Sequence, residues 1–584
     1  MKEKLKHITT KYYRLPILDL LERVLKSFSP TEKLLFGIGI ILLVATAATL
    51  VYRVNALFLT EVPAPGGELR EGIIGSPRFL NPLLALSDAD RDLTTLVYSG
   101  LLKATPEGKL IPDLAESYEI SDNGLSYMFH IRGNAVFHDG TSVTADDVLF
   151  TVQKAQDSAL KSPKRANWEG VTAEKTGERD IVLTLKQPYA PFLENTTLGI
   201  LPKHLWKDAD AEQFPFSPFN VTAVGSGPYT VNKIKRNASG IPIYVELASF
   251  GKYVLGRPYI KRITIYFYQS EKELLSGLSR GEVESVNGIT PQAAKDLESQ
   301  GYRIERTPLP RVFGVFFNQN QARLLAEKSL RQALELATEK SAIVEAVLYG
   351  YGVPIDTAVP PLLLDGKVSE ATSTEVRLAQ ANALLDKAKW KLNPETLVRE
   401  RAKGKETETL SFSLVTSNVP ELRESAELLQ GMWGKIGVEV RLQIFESGDL
   451  NQNVIRPRKF DALLFGEVIG RDLDLFAFWH SSQRNDPGLN IATYTNSKVD
   501  KLLEEARKAT DEDKRIADYQ AAVEAIRADA PAVFLYSPEF IYVLPEKVRG
   551  FTLLHATIPS ERFLDVQHWY IDTEQVWDIF AKQK

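Results

Sequence analysis

The chain has 584 residues, and at about 100–200 residues per domain this length predicts three or four domains. Hydrophobic residues make up 44% and charged residues 25%, a composition typical of globular proteins rather than disordered ones. Cysteine is absent, which excludes disulfides, thiolate nucleophiles, cysteine metal ligands and a lipid-modified cysteine anchor. Residues 60–584 carry 61 basic and 71 acidic residues, and this acidic balance argues against a nucleic-acid partner.

An apolar segment near the N-terminus predicts a membrane-spanning helix. Residues 34–52, LLFGIGIILLVATAATLVY, contain no charged residue, and apolar residues continue to Leu59. About 20 apolar residues span the hydrocarbon core of a bilayer as a helix. A cleaved signal peptide would have a shorter apolar region close to the chain start, whereas 33 residues precede this one. We therefore favour an uncleaved transmembrane helix at 34–59, in contact with the lipid bilayer.

Charge sets the expected orientation of this helix. Residues 1–33 contain eight Lys/Arg and four Asp/Glu, and positively charged flanks stay on the cytoplasmic side. Residues 1–33 are therefore predicted to be cytoplasmic, in a single-pass protein of the cell membrane whose C-terminal body is extracytoplasmic. The sequence PAPGG at Pro63–Gly67 is typical of a short linker after the membrane.

The body that follows has the mixed pattern of an α/β protein. Short β-branched runs at Ile263–Tyr268 and Ile181–Leu185 predict strands. Apolar residues spaced by three and four predict helices around 330–337 and 379–385. The polar stretch 392–409 predicts an exposed excursion.

The sequence FHDGTSVTADDVLFT, residues 137–151, has a local structural explanation. Asp139-Gly140 predicts a turn, and Thr144 predicts a helix cap followed by favourable acids in the first turn. Asp146 and Asp147 are therefore interpreted as capping and surface charges rather than a catalytic pair. The sequence GSGPY at Gly225–Tyr229 is interpreted as structural, since the chain lacks the GxxxxGK[ST] pattern of phosphate-binding loops.

About a dozen short patterns, in a fixed order, resemble the family 5 solute-binding proteins, the peptide and nickel receptors of ABC importers. The resemblance covers roughly residues 66–570. The patterns include RFLNPLLA (78–85), LVYSGLL (96–102), PDLAESYEISDNGLSYMFHIR (112–132), FHDGTSVTADDVLFT (137–151), GSGPY (225–229), VFFNQ (315–319), FDALLFGEVIGRDLD (460–474) and LNIATYTNSKVDKLLEEA (489–506).

The resemblance implies a two-lobed α/β fold of the periplasmic-binding-protein type II class, with an extra subdomain, preceded by one transmembrane helix. Lobe I is expected at 66–310, with the subdomain at 107–215. Lobe II is expected at 311–536, and the chain returns to lobe I at 537–584. The crossings between lobes are expected near Thr307–Phe317 and Val533–Phe540, and two crossings favour a hinge motion.

The implied function is binding without chemistry. A peptide would lie in the cleft between the lobes and shift the population toward a closed form. The receptor, expected to be a monomer without cofactor or bound metal, would pass the peptide to the permease subunits of an ABC importer in the membrane. No catalytic residue is expected.

The resemblance also suggests site residues. In peptide-binding relatives an aspartate in the segment matching Gly466–Asp474 pairs with the amino terminus of the ligand. A buried ammonium needs such a partner, because an unpaired buried charge is very costly. Asp472 is the first choice and Asp474 the second, unless they only begin a helix. Arg471 could occupy the aspartate's position and would then favour an anionic ligand group. The other candidates near the cleft are Phe79, Asn81, Asn318, Glu467 and Asn490.

Three other functions stay open at this point. A nickel or metallophore receptor of the same family is one, with His480 as the histidine nearest the expected cleft. An envelope hydrolase is another, although GxSxG and HExxH patterns are absent. A sensory or chaperone-like receptor on the same fold is the third.

Overall fold

The computed structural model describes residues 24, 26–360, 364 and 373–581. The chain forms two compact units, one from residues 1–64 and 573–584 and one from Pro65–Asp572. Most of the predicted cytoplasmic segment, 1–33, lies outside the described residues, as do the last three residues of the chain.

The small unit contains a long apolar helix, α1 (Pro30–Leu57), none of whose side chains is buried. Ser29 begins the helix through reciprocal hydrogen bonds with Glu32, at 3.3 Å from the Glu32 amide and 2.8 Å to its carboxylate. At 1.5 Å per residue the helix is about 42 Å long, enough to cross a hydrocarbon core of about 30 Å. The strand β1 (Leu59–Ala64) follows and pairs with the last strand of the chain, β23 (Asp572–Trp577).

The large unit contains the remaining strands and the other longer helices. The strands are β2 (Gly66–Ile74), β3 (Leu102–Ala104), β4 (Leu110–Pro112), β5 (Ala115–Ile120), β6 (Ser126–Ile131), β7 (Thr172–Lys175), β8 (Asp180–Thr184), β9 (Tyr229–Arg236), β10 (Pro242–Ser249), β11 (Ile260–Tyr268), β12 (Ser285–Asn287), β13 (Ile304–Pro308), β14 (Arg311–Phe317), β15 (Gly352–Pro354), β16 (Lys391–Leu392), β17 (Arg399–Lys403), β18 (Glu406–Thr409), β19 (Ser411–Ser417), β20 (Glu439–Phe445), β21 (Ala462–Val468) and β22 (Ala532–Val543). The helices are α2 (Asp88–Val97), α3 (Ala145–Gln156), α4 (Glu271–Ser279), α5 (Pro291–Ser299), α6 (Lys328–Ala337), α7 (Lys340–Leu348), α8 (Thr374–Lys387), α9 (Pro420–Gly434), α10 (Ser497–Lys508) and α11 (Glu512–Asp529).

One mixed sheet of twelve strands runs through the large unit, in the order β20-β19-β21-β14-β22-β12-β2-β11-β10-β9, with β13 and β15 also paired to β22. A separate antiparallel sheet, β5-β6-β8-β7, lies within the span predicted for the extra subdomain. The architecture is therefore the predicted α/β fold of periplasmic binding proteins.

The long strand β22 changes partners along its length. Residues 532–536 pair with β14, whereas residues 539–543 pair with β13. At the change, the Leu309 amide donates to the Pro538 carbonyl at 2.9 Å, so the two chain crossings run side by side.

The buried apolar side chains divide at the same place. They form four clusters, of which two come from residues 69–309 and 540–569, together with Tyr351, and two come from residues 312–536. We use lobe I and lobe II for these two groups of residues.

Several local predictions are confirmed and others are wrong. Thr144 begins helix α3, and its amide donates to Asp147 at 2.9 Å. The residues 379–385 are helical, but Ala379 and Ala383 are exposed, because α8 buries Ala381 and Leu385 instead. The predicted excursion at 392–409 is mostly an antiparallel meander, β16-β17-β18.

The linker predicted at Pro63–Gly67 contains the boundary between the two units, at Ala64 and Pro65, but it is short of irregular structure. Its residues end β1 and begin β2, where the Gly66 amide donates to the Tyr259 carbonyl at 2.8 Å. The Asp572 carboxylate lies where a side chain on Gly66 would point, so close backbone packing explains this glycine.

A buried ion network joins the return segment to the rest of lobe I. Arg562 donates to Glu71 of β2 from Nε at 2.8 Å and to Asp92 of α2 from Nη1 at 2.9 Å. Tyr542 of β22 donates to the second Glu71 oxygen at 2.8 Å. All three charged side chains are fully buried. Burial raises the pKa of Asp92 to about 6, against the lowering effect of the Arg562 charge.

Replacing Arg562 by Met should lower the free energy of unfolding by about 3–5 kcal/mol, because two buried carboxylates lose their only cation. Urea denaturation of the full-length protein measures this change. Arg423→Met is the matched control, since Arg423 is exposed and 3.7 Å from Glu427. That substitution should cost about 0.5 kcal/mol or less. Equal effects of the two substitutions would contradict the role assigned to the network.

Candidate functional site

A cavity of about 420 Å³ lies in lobe I and is closed on one side by Arg471 of lobe II. This volume is within the range of small-molecule sites, about 300–1,000 Å³. Its walls come from α2, β3, the extra subdomain and the return segment. The lining residues that matter below are Lys103, Asp113, Glu194, Tyr253, Arg471 and Glu561.

The loop before α2 forms one wall and is organised by a single carboxylate. Asp90 accepts hydrogen bonds from the amides of Arg78 at 2.7 Å and Phe79 at 3.0 Å. Asn81 accepts from the Leu83 amide at 2.9 Å and donates to the Asn220 side chain at 3.1 Å. The predicted residues Phe79 and Asn81 therefore shape this loop, whose neighbouring residues Pro82 and Ala85 line the cavity.

Two opposite charges line the cavity without forming an ion pair with each other. Asp113 is 3% exposed, and its Oδ1 has no hydrogen-bond partner among the described residues. Lys103 Nζ lies 3.4 Å from the Tyr253 hydroxyl and 3.3 Å from Gln567 Oε1. An ammonium has three donors, so one donor of Lys103 is left for another acceptor.

Burial shifts the protonation of both groups. It raises the pKa of Asp113 to about 6, while the Lys103 charge acts in the opposite direction. Burial also disfavours the charged form of Lys103, and it therefore lowers the pKa of this ammonium. Both shifts mean that the protein does not fully compensate the charge of either group. A ligand would supply the missing compensation by placing an ammonium near Asp113 or a carboxylate near Lys103.

Arg471 connects lobe II to lobe I across the cavity. Its Nη1 donates to Glu194 Oε2 at 3.0 Å, and its Nη2 lies 2.8 Å from Glu561 Oε2. Burial raises the pKa of Glu194 to about 7, although the Arg471 charge lowers it. The guanidinium is thus held by two glutamates of lobe I.

The two candidate aspartates differ in their partners. Asp474 is 2.9 Å from Arg507 Nε and accepts the Phe476 amide at 3.3 Å, at the start of the single helical turn Phe476–Trp479. Among the described residues, Asp472 accepts one hydrogen bond on its side chain, from the Asp474 amide at 3.3 Å. Burial raises the pKa of Asp472 to about 6, and the Asp474 charge adds to this shift. Asp474 therefore has a cation partner within the protein, whereas no ion pair is formed by Asp472 among the described residues.

The same region makes a second contact between the lobes. The Tyr189 hydroxyl of the subdomain lies 3.4 Å from Asp474, and the Ala190 amide donates to the Arg507 carbonyl at 3.0 Å. The guanidinium of Arg507 also lies 5.7 Å from the Tyr189 ring centre. The lobes therefore meet through polar groups on both.

Glu467 is buried in lobe II, 4% exposed, opposite Val312 of β14. Its Oε2 has no hydrogen-bond partner among the described residues. Burial raises the pKa of Glu467 well above its ordinary value, because it disfavours the charged carboxylate.

The two remaining predicted residues hold their own loops. Asn490 donates to the carbonyls of His480 at 3.1 Å and Tyr494 at 3.0 Å. Asn318 donates to the Arg458 carbonyl at 2.8 Å. Neither residue lines the cavity. Within the described part of the chain, no three His, Asp or Glu side chains are grouped so that they could hold a metal ion.

Of the predicted site residues, the structure brings Arg471 to the cavity, with Asp472 beside it. The sequence reasoning missed Lys103, Asp113, Glu194 and Glu561. Lys103 and Asp113 are single charges within the apolar patterns LLKA and LIPDLA, and this isolation was an available signal.

The comparisons agree with this architecture. The model of the bacterial extracellular solute-binding proteins, family 5, matches residues 109–488. The oligopeptide-binding protein AppA of Bacillus subtilis is 29% identical over 518 residues, which cover 87% of this chain and 92% of that protein.

Two solved structures show the same fold. The AppA structure, in complex with a nonapeptide, is 27% identical with a TM-score of 0.64 and covers 88% of this chain and 100% of its own. The substrate-binding protein CtaP of Listeria monocytogenes is 26% identical with a TM-score of 0.71, and covers 87% of this chain and 99% of its own.

Replacing Arg471 by Gln should open the cleft of the ligand-free protein. Hydrogen bonds to charged groups contribute about 1.5–3 kcal/mol, so the closed-to-open ratio should fall about tenfold or more. The chain has no cysteine, so nitroxide labels at Asp122→Cys of lobe I and Lys508→Cys of lobe II report one distance between the lobes. Pulsed electron paramagnetic resonance should show longer distances in the variant. The exposed Arg423→Gln is the control, and an unchanged distance distribution in Arg471→Gln would refute the bridging role.

Proposed function

From the premise that the chain belongs to family 5 of the bacterial extracellular solute-binding proteins, we propose that it is a non-catalytic peptide receptor of an ABC importer. It binds a peptide in the cavity of lobe I that Arg471 of lobe II borders, and delivers it to the permease subunits in the membrane. The observation that carries the proposal is the cavity itself, which holds Asp113 with one carboxylate oxygen that lacks a hydrogen-bond partner, and Lys103 with one remaining donor.

The charges suggest how a peptide is recognised. A free amino terminus gains a carboxylate partner at Asp113, and a carboxylate of the ligand gains the remaining donor of Lys103. Such charge-assisted hydrogen bonds are short and strong in a buried site. The sequence-based assignment of the amino terminus to Asp472 is the competing assignment, since this aspartate also lacks a cation partner.

Glu194 and Glu561 are less suited to this role, because both already form ion pairs with Arg471. Arg471 instead closes the cavity over the guest. Binding to both lobes in the closed form is what allows a ligand to shift the population toward closure.

A thermal-shift screen tests the proposed ligand class. Dipeptides, longer peptides and nickel with chelators are added separately, since a bound ligand stabilises the folded protein by RT ln(1 + [L]/Kd). Stabilisation by peptides supports the proposal, whereas stabilisation by the nickel chelates alone would favour the metal-receptor alternative.

Asp113→Asn should weaken binding of a free-amine peptide by about tenfold or more, because the ammonium loses its anionic partner. Isothermal titration calorimetry measures the affinity. Acetylation of the peptide amine should weaken binding to the original protein but cause little further loss in the variant. The exposed Asp122→Asn is the matched control.

The pH dependence of peptide affinity, measured in variants of Asp113 and Asp472, separates the two assignments of the ligand's amino terminus. Because the ionised form of Asp113 binds the ammonium, affinity is full above a pKa of about 6 and is lost as the pH falls through it. Asp113→Asn should remove this dependence. If the dependence and the affinity survive in Asp113→Asn but are lost in Asp472→Asn, the amino terminus binds at Asp472.

We also propose that α1 anchors the receptor with its N-terminus in the cytoplasm. Support comes from the length of the apolar helix and from the basic residues before it. External protease on intact spheroplasts should release a fragment containing most of the mass. Complete protection that is abolished only by detergent would contradict this topology.

A further inference from the structure

The last described residues of the chain are tied to the end of helix α1. In the small unit, β23 pairs with β1, and Thr573 Oγ1 donates to Glu61 Oε1 at 2.5 Å. The Asp578 amide then donates to the Phe58 carbonyl at 2.8 Å. These contacts hold residues 58–64 and 572–578 together.

Trp577 is fixed at the last turn of the helix. Its indole Nε1 donates to Asn55 Oδ1 at 2.9 Å, and Asn55 lies two residues before the end of α1. The indole therefore lies where the apolar run of the chain gives way to polar residues. Tryptophan is enriched at this level of membrane proteins, because its ring has an apolar body and one polar donor.

Apolar side chains surround this indole without being covered. The exposed fractions are 82% for Leu57, 56% for Phe58, 50% for Trp577, 66% for Ile579 and 56% for Phe580. A two-stranded sheet has little stability of its own in water and needs its apolar groups to be covered. Exposed apolar patches of this kind mark contact surfaces.

We propose that Trp577, Ile579 and Phe580, together with Leu57 and Phe58, insert into the interfacial layer of the outer leaflet. This second lipid contact, which we call the interfacial clasp, rests on the proposed membrane anchoring by α1. The hydrogen bond between Trp577 and Asn55 supports a lipid surface as the occupant, because it fixes the clasp at the end of the membrane helix. The clasp would hold the C-terminal segment at the bilayer surface, more weakly than the membrane-spanning helix holds the segment before it.

Site-directed spin labelling of the full-length protein in phosphatidylcholine and phosphatidylglycerol nanodiscs tests the clasp. The absence of native cysteines permits single labels at Ile579→Cys, at Val44→Cys in α1 and at the exposed Lys405→Cys of the large unit. Collision rates with oxygen, which enters lipid, and with a water-soluble nickel complex are compared at each site. The ratio of oxygen to nickel collisions should be highest at residue 44, intermediate at 579 and lowest at 405.

The outcomes separate the clasp from the anchor. A ratio at residue 579 equal to that at 405, with residue 44 in lipid, would overturn the clasp and leave the anchor intact. A low ratio at residue 44 would overturn the anchor itself. Shielding of residue 579 from both reagents would indicate a protein partner or a second copy and would also overturn the clasp. A label at Phe580→Cys repeats the measurement if the first variant folds poorly.

Discussion

The buried pairing of Arg562 with Glu71 and Asp92 is the constraint on which the site depends. The chain leaves lobe I, builds lobe II and returns, so lobe I must be closed by segments far apart in sequence. A fully buried guanidinium between two carboxylates permits one arrangement of β2, α2 and the return segment. Glu561, the neighbour of Arg562, is thereby held at the cavity, where it meets Arg471. The same constraint thus fixes both the lobe and one wall of its site.

The coupling between the lobes follows from the partner change along β22. Two adjacent crossings at Leu309 and Pro538 join the lobes, and this arrangement permits hinge bending. The contacts that close the hinge are polar and few: Arg471 with two glutamates, and the region of Asp474 with Tyr189. Polar contacts of this kind can be broken and remade, since water replaces each partner when the lobes separate.

The parts of the fold that depend on local sequence were predictable. The cap at Thr144 needs only residues three apart, and the apolar run of α1 needs only its own composition. The architecture followed from the ordered patterns of the family. The extended, strand-forming structure of the linker at Pro63–Gly67 was not predictable, because it is set by Tyr259 and Asp572, which are distant in the sequence.

The site was predictable only in part, for a related reason. An asparagine near a cleft can bind a ligand or hold a loop, and nothing local decides between these roles. Asn81 holds its loop through Asn220, which lies 139 residues away. Lys103, Asp113 and Tyr253 likewise meet only in the folded lobe. The segment 470–474 was located from sequence, whereas the partners that distinguish Arg471, Asp472 and Asp474 come from Glu194, Glu561 and Arg507.

The distribution of charge explains how such a receptor can be selective. To move the lobes from a 1:99 to a 99:1 ratio in favour of closure, a ligand must supply about 5.5 kcal/mol of differential binding. The bridge formed by Arg471 supplies part of the closing energy from the protein alone, so the guest has less to contribute. Selectivity must then reside in groups that the protein leaves uncompensated, because satisfied pairs do not distinguish one guest from another. Asp474 is satisfied by Arg507, and burial raises the pKa of Glu467 well above its ordinary value, which disfavours its charged form. We therefore propose that discrimination falls to Asp113 in the cavity and Asp472 beside it, whose charged forms are disfavoured by burial, and to the remaining donor of Lys103.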